Sequence, residues 1–220
     1  MEKKKIITIL GMGPGNGMGI ARKFGKKGFT IAMISRNVEK LQNLQNELKK
    51  DGINAYYFAG DASIEDSLKK SFHELKQKVG NTDVLIYNAA RLKRRNILKE
   101  RFESLVTDFK VNVAGVLTAV QEVLPTMLAK KEGTILITGG HLGIEPHKEF
   151  ASLSIGKGAL INLVKTLAAE LTPKNIHVGS VIICGLIKPE DEKYNPSAIA
   201  ENYWKLYNQK KEDFEVELLY

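Results

Sequence analysis

The sequence predicts an α/β fold, a doubly wound parallel sheet of about seven strands with helices on both faces. Three observations carry that expectation. Short apolar runs alternate with helical patterns from end to end, as βαβ units require. The early runs are continuously apolar rather than alternating, which suits strands buried on both faces. No Pro/Gly/Ser-rich linker, composition shift or repeat divides the 220 residues, so they are read as one domain.

Residues 6–10 are short, apolar and rich in isoleucine, hence a buried strand. A glycine-dense turn follows, then a helix to about Lys27. Residues 30–35 form the second strand, and Asn37 caps a helix whose Leu41, Leu44 and Leu48 share one face. Residues 55–59 are the third strand, 64–79 a helix and 84–87 the fourth strand. A long helix over about 102–129, with Pro125 near its end, leads to a fifth strand at 134–138. Residues 150–171 are helical, with Leu160, Leu163, Val164, Leu167, Ala168 and Leu171 at helical spacing. Residues 178–183 are the sixth strand, 197–210 a helix and 214–219 the last strand.

Composition narrows the function. Lys and Arg number 33 against 25 Asp and Glu, a net charge of 33 − 25 = +8. A positive balance can mark a nucleic-acid binder. Here the lysines are spread along helices, mixed with acids and without interleaved aromatics, so nucleic acid is not an expected partner. The densest cluster is Arg91, Lys93, Arg94 and Arg95, with Lys99 and Arg101 after it. It reads either as a solvated loop or as an anion-binding rim beside a site. A single cysteine, Cys184, excludes a disulfide framework and a Cys-rich zinc site, and no metal is expected. It suits a reducing compartment, and a cytoplasmic location is expected. No run of about 18 apolar residues occurs, so no membrane span is expected. The apolar stretch behind Lys3, Lys4 and Lys5 is too short for a secretory signal.

The chemistry begins after the first strand, at Leu10-Gly11-Met12-Gly13-Pro14-Gly15-Asn16-Gly17-Met18-Gly19. Gly11, Gly15 and Gly17 give G-x-x-x-G-x-G between a strand and a helix. A diphosphate needs a backbone it can approach without a Cβ in the way. It also needs the free N–H groups of a helix start, here at Asn16, Gly17 and Met18. The second strand ends in Ser35-Arg36-Asn37. An acid at that place would hold a ribose 2′-hydroxyl and repel a 2′-phosphate. A hydroxyl and a guanidinium instead favour NADP(H) over NAD(H), because Arg36 can pair bidentately with phosphate.

These motifs resemble the short-chain dehydrogenase/reductase family over nearly the whole chain. The glycines are similar to its T-G-x-x-x-G-x-G, with Leu10 in place of threonine. Ala21, Phe24 and Gly28 fall where the family keeps Ala, Leu/Phe and Gly. Asp61-Ala62 stands where the family holds the adenine. Tyr87-Asn88-Ala89-Ala90 resembles N-N-A-G, with Ala90 for the glycine. Val111-Asn112-Val113-Ala114-Gly115 and Leu124-Pro125-Thr126-Met127 resemble the long-helix signature, and Asn112 falls at the catalytic asparagine. Cys184-Gly185-Leu186-Ile187 stands at P-G-x-I, which places Ile187 by the nicotinamide, though the proline is missing and one extra residue is needed. The resemblance implies a Rossmann-like nucleotide-binding fold, an oxidoreductase acting on a small molecule, and a homodimer or homotetramer built on the 102–129 and 150–171 helices.

The catalytic positions depart from the pattern. Tyr-x-x-x-Lys falls on Leu153 and Lys157, and the catalytic serine falls on Gly140. Asn112 and Lys157 remain, and the resemblance also gives Lys157 a place on the nicotinamide ribose. Leucine has no proton to transfer and glycine has no side chain to orient a carbonyl. Substitute donors are His141, His147, Ser154, or water held by Asn112 and Lys157; Ser154 and Lys157 share a helix face. The departure resembles an atypical branch that lacks the Ser and Tyr. Its sixth-strand pattern fits His177-Val178-Gly179-Ser180-Val181-Ile182-Ile183-Cys184-Gly185, and its tail fits Pro196-Ser197-Ala198-Ile199-Ala200-Glu201-Asn202-Tyr203-Trp204. Two readings therefore stand. One is an NADP(H)-dependent oxidoreductase for a small carbonyl or activated substrate. The other is a catalytically inactive NADP(H)-binding sensor or scaffold.

Overall fold

A computed structural model describes residues 4–220; the start of the lysine-led stretch, at 1–3, lies outside them. Seven parallel strands form one sheet in the order β3-β2-β1-β4-β5-β6-β7. They are β1 (Ile6–Leu10), β2 (Thr30–Ser35), β3 (Ala55–Ala59), β4 (Val84–Tyr87), β5 (Gly133–Thr138), β6 (Ile176–Ile182) and β7 (Glu217–Leu219). β1 pairs with both β2 and β4, so Ile9 lies beside Met33 on one side and Ile86 on the other. The chain winds outward in both directions from that pair. The loops leaving the C-terminal ends of β1 and β4 diverge there and open a crevice, the place where such sheets take ligands.

Helices cover both faces. α1 (Asn16–Lys26), α2 (Val38–Lys50) and α7 (Pro196–Tyr207) bury Ile20, Phe24, Leu41, Leu48, Ile199 and Tyr203 on one side. α3 (Glu65–Lys78), α5 (Gly115–Lys130) and α6 (Ala151–Leu171) bury Leu68, Phe72, Val116, Val120, Leu160 and Val164 on the other. Asn37 caps α2 through its side chain, which accepts from the Lys40 amide at 2.8 Å.

Three expectations are corrected. The long helix is not uniform: α4 (Phe102–Phe109) passes through a π-helical segment, Lys110–Ala114, before α5. The buried Tyr87 hydroxyl donates to the Val111 carbonyl at 2.5 Å, which occupies an acceptor of that turn and widens it. The rod Phe102–Lys130 is also, by length and composition, apolar enough to cross a membrane, which the sequence was not expected to contain. Of its most apolar window 56% is buried inside the fold, where α5 packs on α3 and the sheet. Finally, the last helix stops at Tyr207 and the last strand shrinks to Glu217–Leu219. In the run between them Phe214 stacks on His177 and Val216 packs against the core just ahead of the strand, so these apolar residues are part-buried outside regular structure.

Candidate functional site

The first loop is shaped by close approach. Gly11 has φ +85°, and a Cβ there would lie 2.2 Å from the Ala89 amide nitrogen. No other residue type fits. The Asn88 amide donates to the Gly11 carbonyl at 3.0 Å, which fastens the loop after β4 to the loop after β1. At Gly13 and Gly15, by contrast, a Cβ would meet nothing within 4 Å. That open space lies at the N-terminus of α1, whose first turn carries no acidic side chain. A backbone cradle with a positive helix end fits an anion such as a diphosphate.

The crevice beside it has a volume of about 350 Å³. It gathers Gly11, Ser35, Arg36, Asp61, Ala62, Asn88, Ala89 and Ala90 from the predicted set. Arg36 is exposed at its edge, and Lys40, one turn into α2, joins it. Burial alone would push the Asp61 carboxyl up. Hydrogen bonds from the Ser63 hydroxyl and amide, with the Arg36 and Arg91 charges, hold it below the ordinary value. Asp61 is therefore a fixed carboxylate at the crevice floor. Gly15, Asn16, Gly17 and Met18 lie at the start of α1 rather than on the crevice wall, and Ile187 packs on the hydrophobic core.

The other half of the site lies at the end of β5 and on α6. Lys157 is buried and donates from Nζ to the Thr138 carbonyl at 2.5 Å. Burial lowers its pKa to about 8. A Cβ on Gly140 would sit 3.4 Å from Lys157 Cε, so the position matched to the family serine faces this lysine. Asn112, in the π segment, accepts the Arg91 amide at 2.8 Å. Its buried Nδ2 has no partner among the described residues.

The substitute donors are not gathered round that lysine. Ser154 Oγ accepts from the His147 amide at 3.1 Å, so its hydroxyl holds a loop and does not bond Lys157. The expected Ser–Lys pair is thus not formed. Ser154 and His147 line a separate cavity of about 420 Å³ with Ile97, Leu142 and Ile155. The His147 side chain is tied locally, its Nδ1 accepting the Glu149 amide. His141 stands next to Gly140 and pairs with Glu145 at 3.1 Å, its side chain 40% exposed.

The basic cluster proves to be neither a plain solvated loop nor a free rim. Arg91, Lys93 and Arg95 alternate inward while Leu92 and Arg94 point out. Arg91 Nε lies 2.8 Å and Lys93 Nζ 3.8 Å from the fully buried Asp108, and Arg95 pairs with Glu100 at 3.1 Å. Asp108 also accepts the Ser152 hydroxyl at 2.8 Å, which joins α4 to α6. The cluster is a clamp that sets Arg91 on the crevice wall. Asp108→Ala is expected to destabilise the fold by about 2–3 kcal/mol, below the usual 3–5 for a broken buried pair because Arg91 can reach water. Urea unfolding measures this, and a change under 1 kcal/mol would show that the clamp carries little stability.

Comparison with known proteins agrees with the geometry. A family model described as short chain dehydrogenase matches residues 5–198. A 3-oxoacyl-(acyl-carrier-protein) reductase of Bos taurus is 26% identical over 190 residues, 86% of this chain and 78% of that protein. A short-chain dehydrogenase from Rhodopseudomonas palustris superposes with a TM-score of 0.87 at 28% identity, covering 98% of this chain and 97% of that one. A metagenomic short-chain oxidoreductase in complex with NADP superposes at 0.88 and 25% identity, covering 98% and 95%.

Proposed function

Because the chain belongs to the short-chain dehydrogenase family, we propose that it is an NADP(H)-dependent oxidoreductase of the atypical branch that lacks the catalytic Ser and Tyr, acting on a small carbonyl or otherwise activated substrate. The observation that carries the cofactor reading is the crevice at the β1–β4 divergence, which Arg36 and Lys40 line, together with the open Gly13–Gly15 space beside the start of α1. The first loop and α1 would hold the diphosphate. Asp61 and Ala62 would hold the adenine, Asn88 to Ala90 the middle of the nucleotide, and Lys157 its nicotinamide ribose. NADPH, when bound, supplies a hydride. The NADP in the metagenomic relative supports this assignment.

The chain's own residues set what kind of substrate suits it. Leu153 and Gly140 offer no proton and no hydrogen bond to a substrate oxygen. Asn112 Nδ2 and Lys157 Nζ are the polar groups left to hold a water or a proton there. A substrate that accepts hydride without a strong acid, such as a quinone or dicarbonyl, matches that set best. Phe102, Phe109 and Leu117 stand exposed along the α4–α5 rod, which supports a homodimer or homotetramer.

A second reading, an inactive NADP(H)-binding sensor or scaffold, is favoured by the Lys157 bond to a backbone carbonyl where a reductase needs a proton donor. Both readings require the nucleotide. Titration should show NADPH binding well ahead of NADH, and Arg36→Ala should weaken NADPH by about 10–100-fold, the worth of one charge-assisted phosphate contact, while leaving NADH within twofold. An unchanged preference in Arg36→Ala would overturn the 2′-phosphate assignment.

A further inference from the structure

Four side chains from four parts of the chain close a ring beside the glycine loop, Asn16 and Tyr203 buried and Asn88 and Thr138 half-buried. Asn16 Nδ2, at the first residue of α1, donates to Asn88 Oδ1 at 2.8 Å and to the Tyr203 hydroxyl at 3.3 Å. Thr138 Oγ1, at the end of β5, lies 2.9 Å from Asn88 Oδ1 and 2.6 Å from the Tyr203 oxygen. One proton order satisfies every contact. An amide oxygen only accepts, so Thr138 donates to Asn88 and its single proton is used. Tyr203 must then donate to Thr138, and its oxygen accepts from Asn16. Burial pushes the Tyr203 phenol up to about 12, so it keeps that proton across the neutral range.

The ring touches both halves of the site. Asn88 Nδ2 continues to the Gly11 carbonyl, and the Thr138 carbonyl receives Lys157 Nζ. Tyr203 reaches in from α7, on the far side of the segment that follows β6, and is fully buried. Gly19 admits α7 this closely: a Cβ there would lie 2.3 Å from the Pro196 carbonyl oxygen. Tyr203 also belongs to the 196–204 stretch that the sequence singled out without giving any of its residues a role.

We propose that Tyr203 is a positioning residue whose hydroxyl fixes the loop after β1 against the end of β5, and so aligns the diphosphate cradle with Lys157. The part that concerns nucleotide rests on the function proposed above; the part that concerns the ring does not. Tyr203→Phe keeps the aromatic packing and removes the one hydroxyl. By hydrogen–deuterium exchange, the amides of 11–19 and 138–141 should exchange about tenfold faster in the variant, while those of β2 and β3 stay within twofold. NADPH should bind about tenfold more weakly. Adenosine 2′,5′-bisphosphate, which fills only the Arg36 end, should bind within twofold of wild type. Should Tyr203→Phe fail to fold, Thr138→Val breaks the same ring from the other side and must give the same pattern. Exchange unchanged at both segments, or accelerated equally across the sheet, overturns the inference. Wild-type protein that binds neither nucleotide would overturn the proposed function instead, and the exchange result would still decide the ring.

Discussion

Gly140→Ser combined with Leu153→Tyr is expected to raise NADPH-dependent carbonyl reduction about 10²–10⁴-fold over the unaltered chain, the usual worth of positioned acid–base help. The backbone accepts the serine without strain. Gly140 has an extended backbone, φ −177°, which serine adopts freely, and a Cβ there makes an ordinary contact of 3.4 Å with Lys157 Cε. Leu153 precedes Lys157 by one helical turn, so a tyrosine at 153 would share its face with the ammonium group. A neighbouring cation favours the phenolate and makes the phenol a better proton donor. The larger ring enters a buried position, since Leu153 is only 5% exposed, and overpacking should lower stability by about 1–3 kcal/mol. NADPH oxidation against aldehydes, quinones and dicarbonyls measures the gain, and thermal melting measures the cost. A folded double variant with no gain over that panel would locate the divergence in the shape of the pocket rather than in the missing acid. Turnover by the unaltered chain over the same panel favours the enzyme reading over the sensor.

The sheet was legible because its strands are written as local apolar runs. β1, β2, β3 and β4 have the bounds expected from hydrophobicity alone. The candidate cofactor side was legible for a related reason: Gly11, Arg36 and Asn88 stand directly after strands and Asp61 two residues after one, so the fold brings them to one edge without help from distant residues. Lys40 was missed although its place, one turn beyond the Asn37 cap, pointed toward the same crevice. What stayed hidden depends on contacts far apart in sequence. The π segment follows from Tyr87 reaching the Val111 carbonyl. The inward turn of Arg91, Lys93 and Arg95 depends on Asp108 and Glu100; the alternation was visible but its partners were not. Helical spacing did put Ser154 and Lys157 near one another on α6, yet the hydroxyl is taken by the His147 amide. Tyr203 gave no signal of its ring, because Asn16, Asn88 and Thr138 meet it only once the sheet has formed.

Lys157→Met is expected to stabilise the protein at pH 7 by about 2 kcal/mol and to lose that advantage above about pH 10. Burial lowers the lysine from 10.5 to about 8. At about 1.4 kcal/mol per pKa unit, keeping it charged inside the fold costs roughly 3 kcal/mol, and the bond to the Thr138 carbonyl returns about 1 of those. The sign follows from proton counting. Below pH 8 the folded and unfolded chains both hold the proton, and the full cost is present. Between about 8 and 10.5 the unfolded chain binds more protons than the folded one, so stability of the unaltered chain rises with pH through that window. Above it both are neutral and the cost is gone. Urea unfolding of the two proteins at pH 7, 9 and 10.5 reads the difference directly, since all other titrations are common to both. A variant less stable than its parent at pH 7 would mean that the Thr138 bond outweighs burial. With the expected sign, a buried cation that weakens the fold sits where the missing tyrosine and serine would have used it. Stability would then not account for its presence there, and the proposed contact with the nicotinamide ribose would.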